Sequence, residues 1–291
     1  MKQTVQSLQK KAVAGEKITW LTCYDYSFAS ALAQTDLDMI LVGDSGGMVM
    51  LGYSSTVPVT MDEMIHLSKS VRKGAPEKFI VGDMPKGSYE ISNEVAVANA
   101  MRFVKEAECD AIKLEGSALM SERVAAIVES GISVIGHIGL TPQSSTTFGG
   151  YRVVGKKDSE VSKLMNDAKM LESAGAFGIL LEAVPEDVGQ QLTNNGNVLY
   201  FGIGAGQKVH GQLLILHDIL GLYPNFRPKF AKNYLIQVIE EFQGSLQKIE
   251  NLTEYGRKTR QDGIHTLTKM AVNKFILEVK NLNFPTEIHN Y

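Results

Sequence analysis

Two cysteines in 291 residues are too few for a disulfide framework. Cys23 and Cys109 are also too isolated to form a zinc site. Charge of one sign is missing as well: 29 Lys and Arg against 32 Asp and Glu leave a net −3. No global field therefore recruits nucleic acid or an anionic membrane. The basic residues form no arm or tail. No apolar run approaches the ~20 residues that span a bilayer. The opening MKQTVQSLQKKAVAG lacks the apolar stretch of a signal peptide. Internal repeats and low-complexity segments are absent too. These absences lead us to expect a cytoplasmic protein with neither nucleic-acid nor membrane partners. Present instead is ordinary globular chemistry, 44% hydrophobic and 21% charged, at a length able to bury a large core.

Within that chain, four short apolar runs end on acids. Asp44 closes MILVGD, Asp83 closes FIVGD, Glu115 closes AIKLE and Glu182 closes FGILLE. Each run has the length and β-branched content of a buried strand. Candidate strands recur at Ile18–Tyr24, Met39–Asp44, Phe79–Asp83, Ala111–Glu115, Ser133–His137, Phe177–Glu182, Val198–Ile203 and Gln212–Leu216. Helical periodicity fills several gaps, notably Ser92–Ala107 and Ser159–Ala174. Alternating strands and helices imply parallel pairing through right-handed crossovers. Eight such units favour a (β/α)8 barrel over an open sheet, with chemistry at the C-terminal strand ends. We read residues 1–291 as one barrel domain. About 235–291 form a helical extension packed on it, with stripes at Leu235, Ile239, Phe242, Leu246 and Ile249 and at Leu267, Met270, Ala271, Lys274 and Leu277. Gly256 and Gly263 interrupt the helical pattern between the stripes.

Carboxylates at matching ends of parallel strands repel one another unless a positive group joins them. Oxygen ligands without a histidine cluster favour Mg²⁺ over zinc. Any one of these acids could instead cap the following helix. Lys113 and Glu115 are two residues apart in one strand and face the same way, placing a cation beside the acids. That lysine could stabilise an anionic substrate or a developing enolate. His137 stands at another strand end, in SVIGHIGLTPQS. Glu182 ends an almost wholly apolar strand, where desolvation would make it a stronger base. GIGAG at 202–206 lacks the third glycine of a dinucleotide loop. It reads as a packed strand end.

Taken together, TCYDYSFA (22–29), LVGDSGGM (41–48), STVPVTMDEM (55–64), GDMPKGSY (82–89), IKLEG (112–116), GHIGLTPQS (136–144), FGGYRVVGK (148–156), LLEAVPE (180–186) and PKFAKNY (228–234) resemble the ketopantoate (3-methyl-2-oxobutanoate) hydroxymethyltransferase family. The resemblance implies a (β/α)8 TIM barrel of the phosphoenolpyruvate mutase/isocitrate lyase type. It implies Mg²⁺ at Asp44, Asp83 and Glu115, and keto-acid contacts at Asp44, Ser45, Asp83 and Lys113. His137 is added on position alone, to orient substrate or shuttle a proton. The proton acceptor falls on Glu182. The implied reaction moves a hydroxymethyl group from 5,10-methylenetetrahydrofolate to 3-methyl-2-oxobutanoate, giving 2-dehydropantoate for pantothenate. A large homo-oligomer, a decamer in the family, is expected. Gly46, Lys86, Ser117 and His210 depart from the usual family residues. The competing expectation is a paralogous Mg-dependent lyase or aldolase for another 2-oxo acid.

Overall fold

The structure, a computed structural model, describes residues 2–144, 150–224, 226–246 and 263–291. After α1 (Val5–Val13) come β1 (Ile18–Thr22), α2 (Tyr26–Ala33), β2 (Met39–Val42), α3 (Gly46–Val49), α4 (Met61–Gly74), β3 (Phe79–Asp83), α5 (Asn93–Ala107) and β4 (Ala111–Glu115). Then follow α6 (Ser121–Glu129), β5 (Val134–Gly139), α7 (Asp158–Ser173), β6 (Gly178–Glu182), α8 (Glu186–Asn195), β7 (Leu199–Ile203), β8 (Gly211–Leu214), α9 (Leu216–Leu220), α10 (Tyr234–Leu246) and α11 (Gly263–Lys280). The strands pair in sequence order, all parallel, and β8 returns to β1 to close a barrel.

The strand ends differ slightly from the sequence reading. The segment read as Ile18–Tyr24 leaves the ladder at Thr22. β2 stops at Val42, so Asp44 lies two residues beyond it. β5 runs past His137 to Gly139. Leu216, read as the end of the last strand, opens α9 instead. A side chain alternates between inside and outside along a strand. Inward positions therefore run Trp20 and Thr22, Val81 and Asp83, Lys113 and Glu115, Ile135 and His137, Leu180 and Glu182, Phe201 and Ile203.

The lower inward layer is a solid floor. Trp20 and Phe201 are fully buried with ring centroids 4.9 Å apart. Gly178 lies on the same inner face, and a Cβ there would come within 2.9 Å of Phe201. The missing side chain makes room for the phenyl ring. Outside, the helices use 3.6-residue stripes. In α5, Ala96, Ala100, Phe103 and Ala107 are buried. Phe103 lies against Gly82 of β3, where a Cβ would meet its ring at 2.3 Å. Helix starts are capped by residues in the loops: Asp25 for α2, Thr60 with Glu63 for α4, Ser92 for α5. Each such cap is worth about 1 kcal/mol.

At the C-terminus, α11 packs on α10 and lies against α2 and β1 at the barrel seam. Its buried face is Thr268, Ala271, Val272, Phe275, Ile276 and Val279. Leu277, expected in the stripe, is 60% exposed, and Ile239 of α10 is 37% exposed. Tyr234 and Val238 are buried in α10 instead. The aromatic cluster of Tyr234, Phe275 and Phe284 rotates both helices from the orientation that an aliphatic stripe suggests. The side chains of Phe242 and Leu246, and residues Ile249 and Gly256, lie outside the described residues, as does the start of FGGYRVVGK.

Candidate active site

Strand register brings the polar residues to one level. Asp83 is paired with Lys113, Glu115 with His137, and Gly139 with Glu182. All point inward at the C-terminal end of the barrel. They border one cavity of about 260 Å³, also lined by Asp44, Ser45 and Thr22. Every sequence-predicted site residue is therefore in one place. Asp44, Asp83 and Glu115, 39 and 32 residues apart in sequence, share a single mouth.

The contacts form a chain. Lys113 Nζ lies 2.7 Å from Asp83 Oδ1 and 3.3 Å from His137 Nδ1. On the other side of the imidazole, Nε2 is 3.2 Å from Glu182 Oε2. Glu115 Oε1 is 3.5 Å from Nδ1. An ammonium group only donates, so its bond to Nδ1 makes that nitrogen the acceptor. The ring proton then sits on Nε2, towards Glu182. Burial and the Lys113 charge hold the His137 pKa below its ordinary value, which keeps the ring neutral.

Helix capping does not account for the acids. Asp83 Oδ2 accepts from the Asp44 amide at 3.1 Å. Asp44 Oδ2 accepts from Gln143 Nε2 at 2.9 Å, and Glu115 Oε2 from the Gln143 amide at 3.0 Å. None of the three caps the helix that follows its own strand; in α3 the N-cap is Ser45, whose hydroxyl is 2.9 Å from Tyr24 Oη. Burial raises the pKa of all four carboxyl groups. For Asp44 the Glu115 charge adds to it. Asp83 is raised well above the usual range despite Lys113. Glu115 is pushed up to about 7, and Glu182 is raised with His137 opposing. Burial pulls Lys113 down, but Asp83, Glu115 and Asp44 outweigh it, so its net shift is upward and it remains an ammonium.

Three carboxylates against one lysine leave the mouth with excess buried negative charge. Asp83 Oδ1 has its ion pair but no hydrogen-bond donor. An all-oxygen, buried, under-compensated donor set suits a hard divalent cation. Among the described residues no three acidic, histidine or cysteine side chains already converge as a closed metal cage. Lys113 and Gln143 occupy the space between the acids.

Gln143 was not picked out from sequence. It bridges Asp44 and Glu115, donates also to Met84 O at 3.0 Å, and accepts from Tyr89 Oη at 2.6 Å. The available signal was its place directly after Pro142 in the loop that leaves β5. Tyr24 and Asp218 were passed over as well. Asp218, in α9 just beyond β8, borders the same cavity.

A closed parallel (β/α)8 barrel with acids, a lysine and a histidine gathered at its C-terminal mouth is the architecture of a TIM-barrel enzyme. Solved structures share this fold. Phosphonopyruvate hydrolase matches with a TM-score of 0.57 at 12% identity, covering 96% of this chain and 100% of that one. Phosphoenolpyruvate phosphomutase from Streptomyces platensis subsp. rosaceus matches at 0.58 and 13%, covering 92% and 98%. A further phosphonopyruvate hydrolase structure, in complex with oxalate and Mg²⁺, matches at 0.56 and 11%, covering 96% and 100%.

A sequence profile of ketopantoate hydroxymethyltransferase matches residues 2–254. The 3-methyl-2-oxobutanoate hydroxymethyltransferase of Syntrophus aciditrophicus (strain SB) is 44% identical over 287 residues, 99% of this chain and 94% of that protein. The enzyme of the same name from Desulfotalea psychrophila (strain LSv54 / DSM 12343) is 49% identical over 234 residues, covering 80% and 84%. The chain belongs to the ketopantoate hydroxymethyltransferase family and is an enzyme, a transferase.

Proposed function

We propose that this chain transfers a hydroxymethyl group from 5,10-methylenetetrahydrofolate to 3-methyl-2-oxobutanoate, giving 2-dehydropantoate for pantothenate biosynthesis. The observation that carries this reading is the contact chain Asp83–Lys113–His137–Glu182 along one buried wall. It offers a permanent cation and a carboxylate base on opposite sides of one neutral imidazole. The relatives' names supply the keto acid.

Asp44, Asp83 and Glu115 would hold Mg²⁺, whose Lewis acidity makes the C3–H of a 2-oxo acid removable. Ser45 and Lys113 orient the anionic substrate. Glu182 takes the C3 proton, and its raised pKa makes it a better base than an exposed glutamate. His137 Nε2 lies 3.2 Å from Glu182 Oε2, which keeps the imidazole beside that carboxylate. Lys113 stabilises the negative charge that develops on the keto oxygen. The enolate carbon then bonds to the donor's methylene carbon. Water supplies the hydroxyl as tetrahydrofolate leaves.

The test is hydrogen exchange. With protein, Mg²⁺ and 3-methyl-2-oxobutanoate in D₂O, and no folate, the C3–H signal should decay by NMR, and EDTA should stop the decay. Wild-type exchange rates in Glu182→Gln would remove the glutamate from its role. Absence of ketopantoate after adding methylenetetrahydrofolate would remove the donor.

A further inference from the structure

Asp218 remains unused by that mechanism, although it borders the same cavity. It is only 6% exposed. Among the described residues, none donates a hydrogen bond to its carboxylate or forms an ion pair with it. Burial pushes its pKa up to about 7, with the charge of Arg227 opposing only in part. A buried carboxylate without a partner is costly and is retained where a ligand completes it.

Its surroundings are aromatic. Tyr223, Phe226, Phe230 and Tyr291 line the same cavity, with Ile215. Phe230 and Tyr291 meet edge to face at 6.2 Å. Phe230 fits because Gly204 lacks a Cβ, which would lie 2.5 Å from its ring. Several aromatic rings sharing a cavity with an unpaired carboxylate suit a planar heterocycle that donates hydrogen bonds. The keto acid cannot be that ligand, because its carboxylate would be repelled. A metal ion is also a poor match, since a single carboxylate among aromatic rings offers too few oxygens.

The geometry points to Asp218 as the residue that reads the one-carbon donor, accepting paired hydrogen bonds from the ring N–H and amino group of a 2-amino-4-oxopyrimidine, the ring that heads a reduced folate. This rests on the donor proposed above. A carboxylate meets those two donors in the same bidentate way that it meets a guanidinium. Asp218 and Glu182 line the same cavity, so a heterocycle held by Asp218 shares that space with the enolate that Glu182 forms.

The experiment uses the full chain with Mg²⁺ and keto acid, and two probes, tetrahydrofolate and its 2-desamino analogue. Calorimetry should show wild type binding tetrahydrofolate roughly tenfold to a hundredfold more tightly than the analogue. Asp218→Asn should bind the two alike, and its transfer rate should fall relative to its C3–H exchange rate. Equal binding of both probes by wild type, or a preference that survives in Asp218→Asn, overturns the assignment. If the variant does not fold, the wild-type preference alone decides. A wild type that exchanges C3–H but binds no tetrahydrofolate at all would instead bring down the donor reading, and this inference with it.

Discussion

The two ends of this barrel are built from the same eight strands and have opposite chemistry. At the N-terminal end, Trp20 and Phe201 meet over Gly178 in an apolar inward layer. Towards the C-terminal strand ends, the inward positions carry Asp83, Lys113, Glu115, His137 and Glu182. The floor gains stability from burial. The mouth gives some up, holding carboxylates at pKa values that solvent would not allow. The contrast separates residues kept for folding from residues kept for chemistry, and it can be tested one end at a time.

The largest effect belongs to the mouth. Glu182→Gln should slow C3–H exchange by roughly 10²–10⁴-fold while circular dichroism and melting stay near wild type. The mirror experiment is at the floor. Phe201→Ala should cost about 3–5 kcal/mol in denaturant unfolding, with exchange per folded molecule little changed. If each variant hit both readouts equally, the division between the ends would collapse.

Two substitutions sharpen the comparison within the mouth. Asp83→Asn removes the closest counter-ion of Lys113 and should lower stability by about 2 kcal/mol, since Asp44 and Glu115 remain nearby. Mg²⁺ should then no longer raise its melting temperature. Asp44→Asn relieves repulsion from Glu115 instead. It should leave metal-free stability within about 0.5 kcal/mol of wild type while also abolishing the Mg²⁺ response. A metal response that persists in both would deny these acids a metal role.

The pH effect is of the same order as the loss in Asp83→Asn. The Glu115 pKa rises from its ordinary 4.5 to about 7 on folding. The folded protein then holds this proton more tightly than the unfolded chain does. Its contribution is fully present below pH 4.5 and is lost as pH rises through about 7. Metal-free protein should therefore lose on the order of 3 kcal/mol across that window. Mg²⁺ competes with the same proton, so its thermal shift should be larger at pH 8 than at pH 6. A shift independent of pH would exclude Glu115 from the cation site.

Alternation of apolar runs and helical stripes was enough to predict the barrel, because period and crossover handedness are local rules. The four acids, Lys113 and His137 were legible because each closes or faces one way along a strand, and strand ends of a parallel barrel share a mouth. Gln143 was not legible. Its role depends on a loop folding back so that its side-chain amide reaches Asp44 and its backbone amide reaches Glu115, 71 residues apart in sequence. The stripes of α10 and α11 were misread for a similar reason, since Tyr234, Phe275 and Phe284 find one another only after the chain has closed. Asp218 gave no signal at all beside His217.

By itself, then, the amino-acid order determined the strand–helix alternation and the level at which charge enters the barrel, because both follow from periods of two and 3.6 residues. Tertiary structure alone decided which groups come together: Lys113 with Asp83 rather than its own neighbour Glu115, His137 between Lys113 and Glu182, and Asp218 in one cavity with Tyr223 and Phe230. The reason is that register, loop return and desolvation are set between segments, and no local pattern encodes a distance across a barrel.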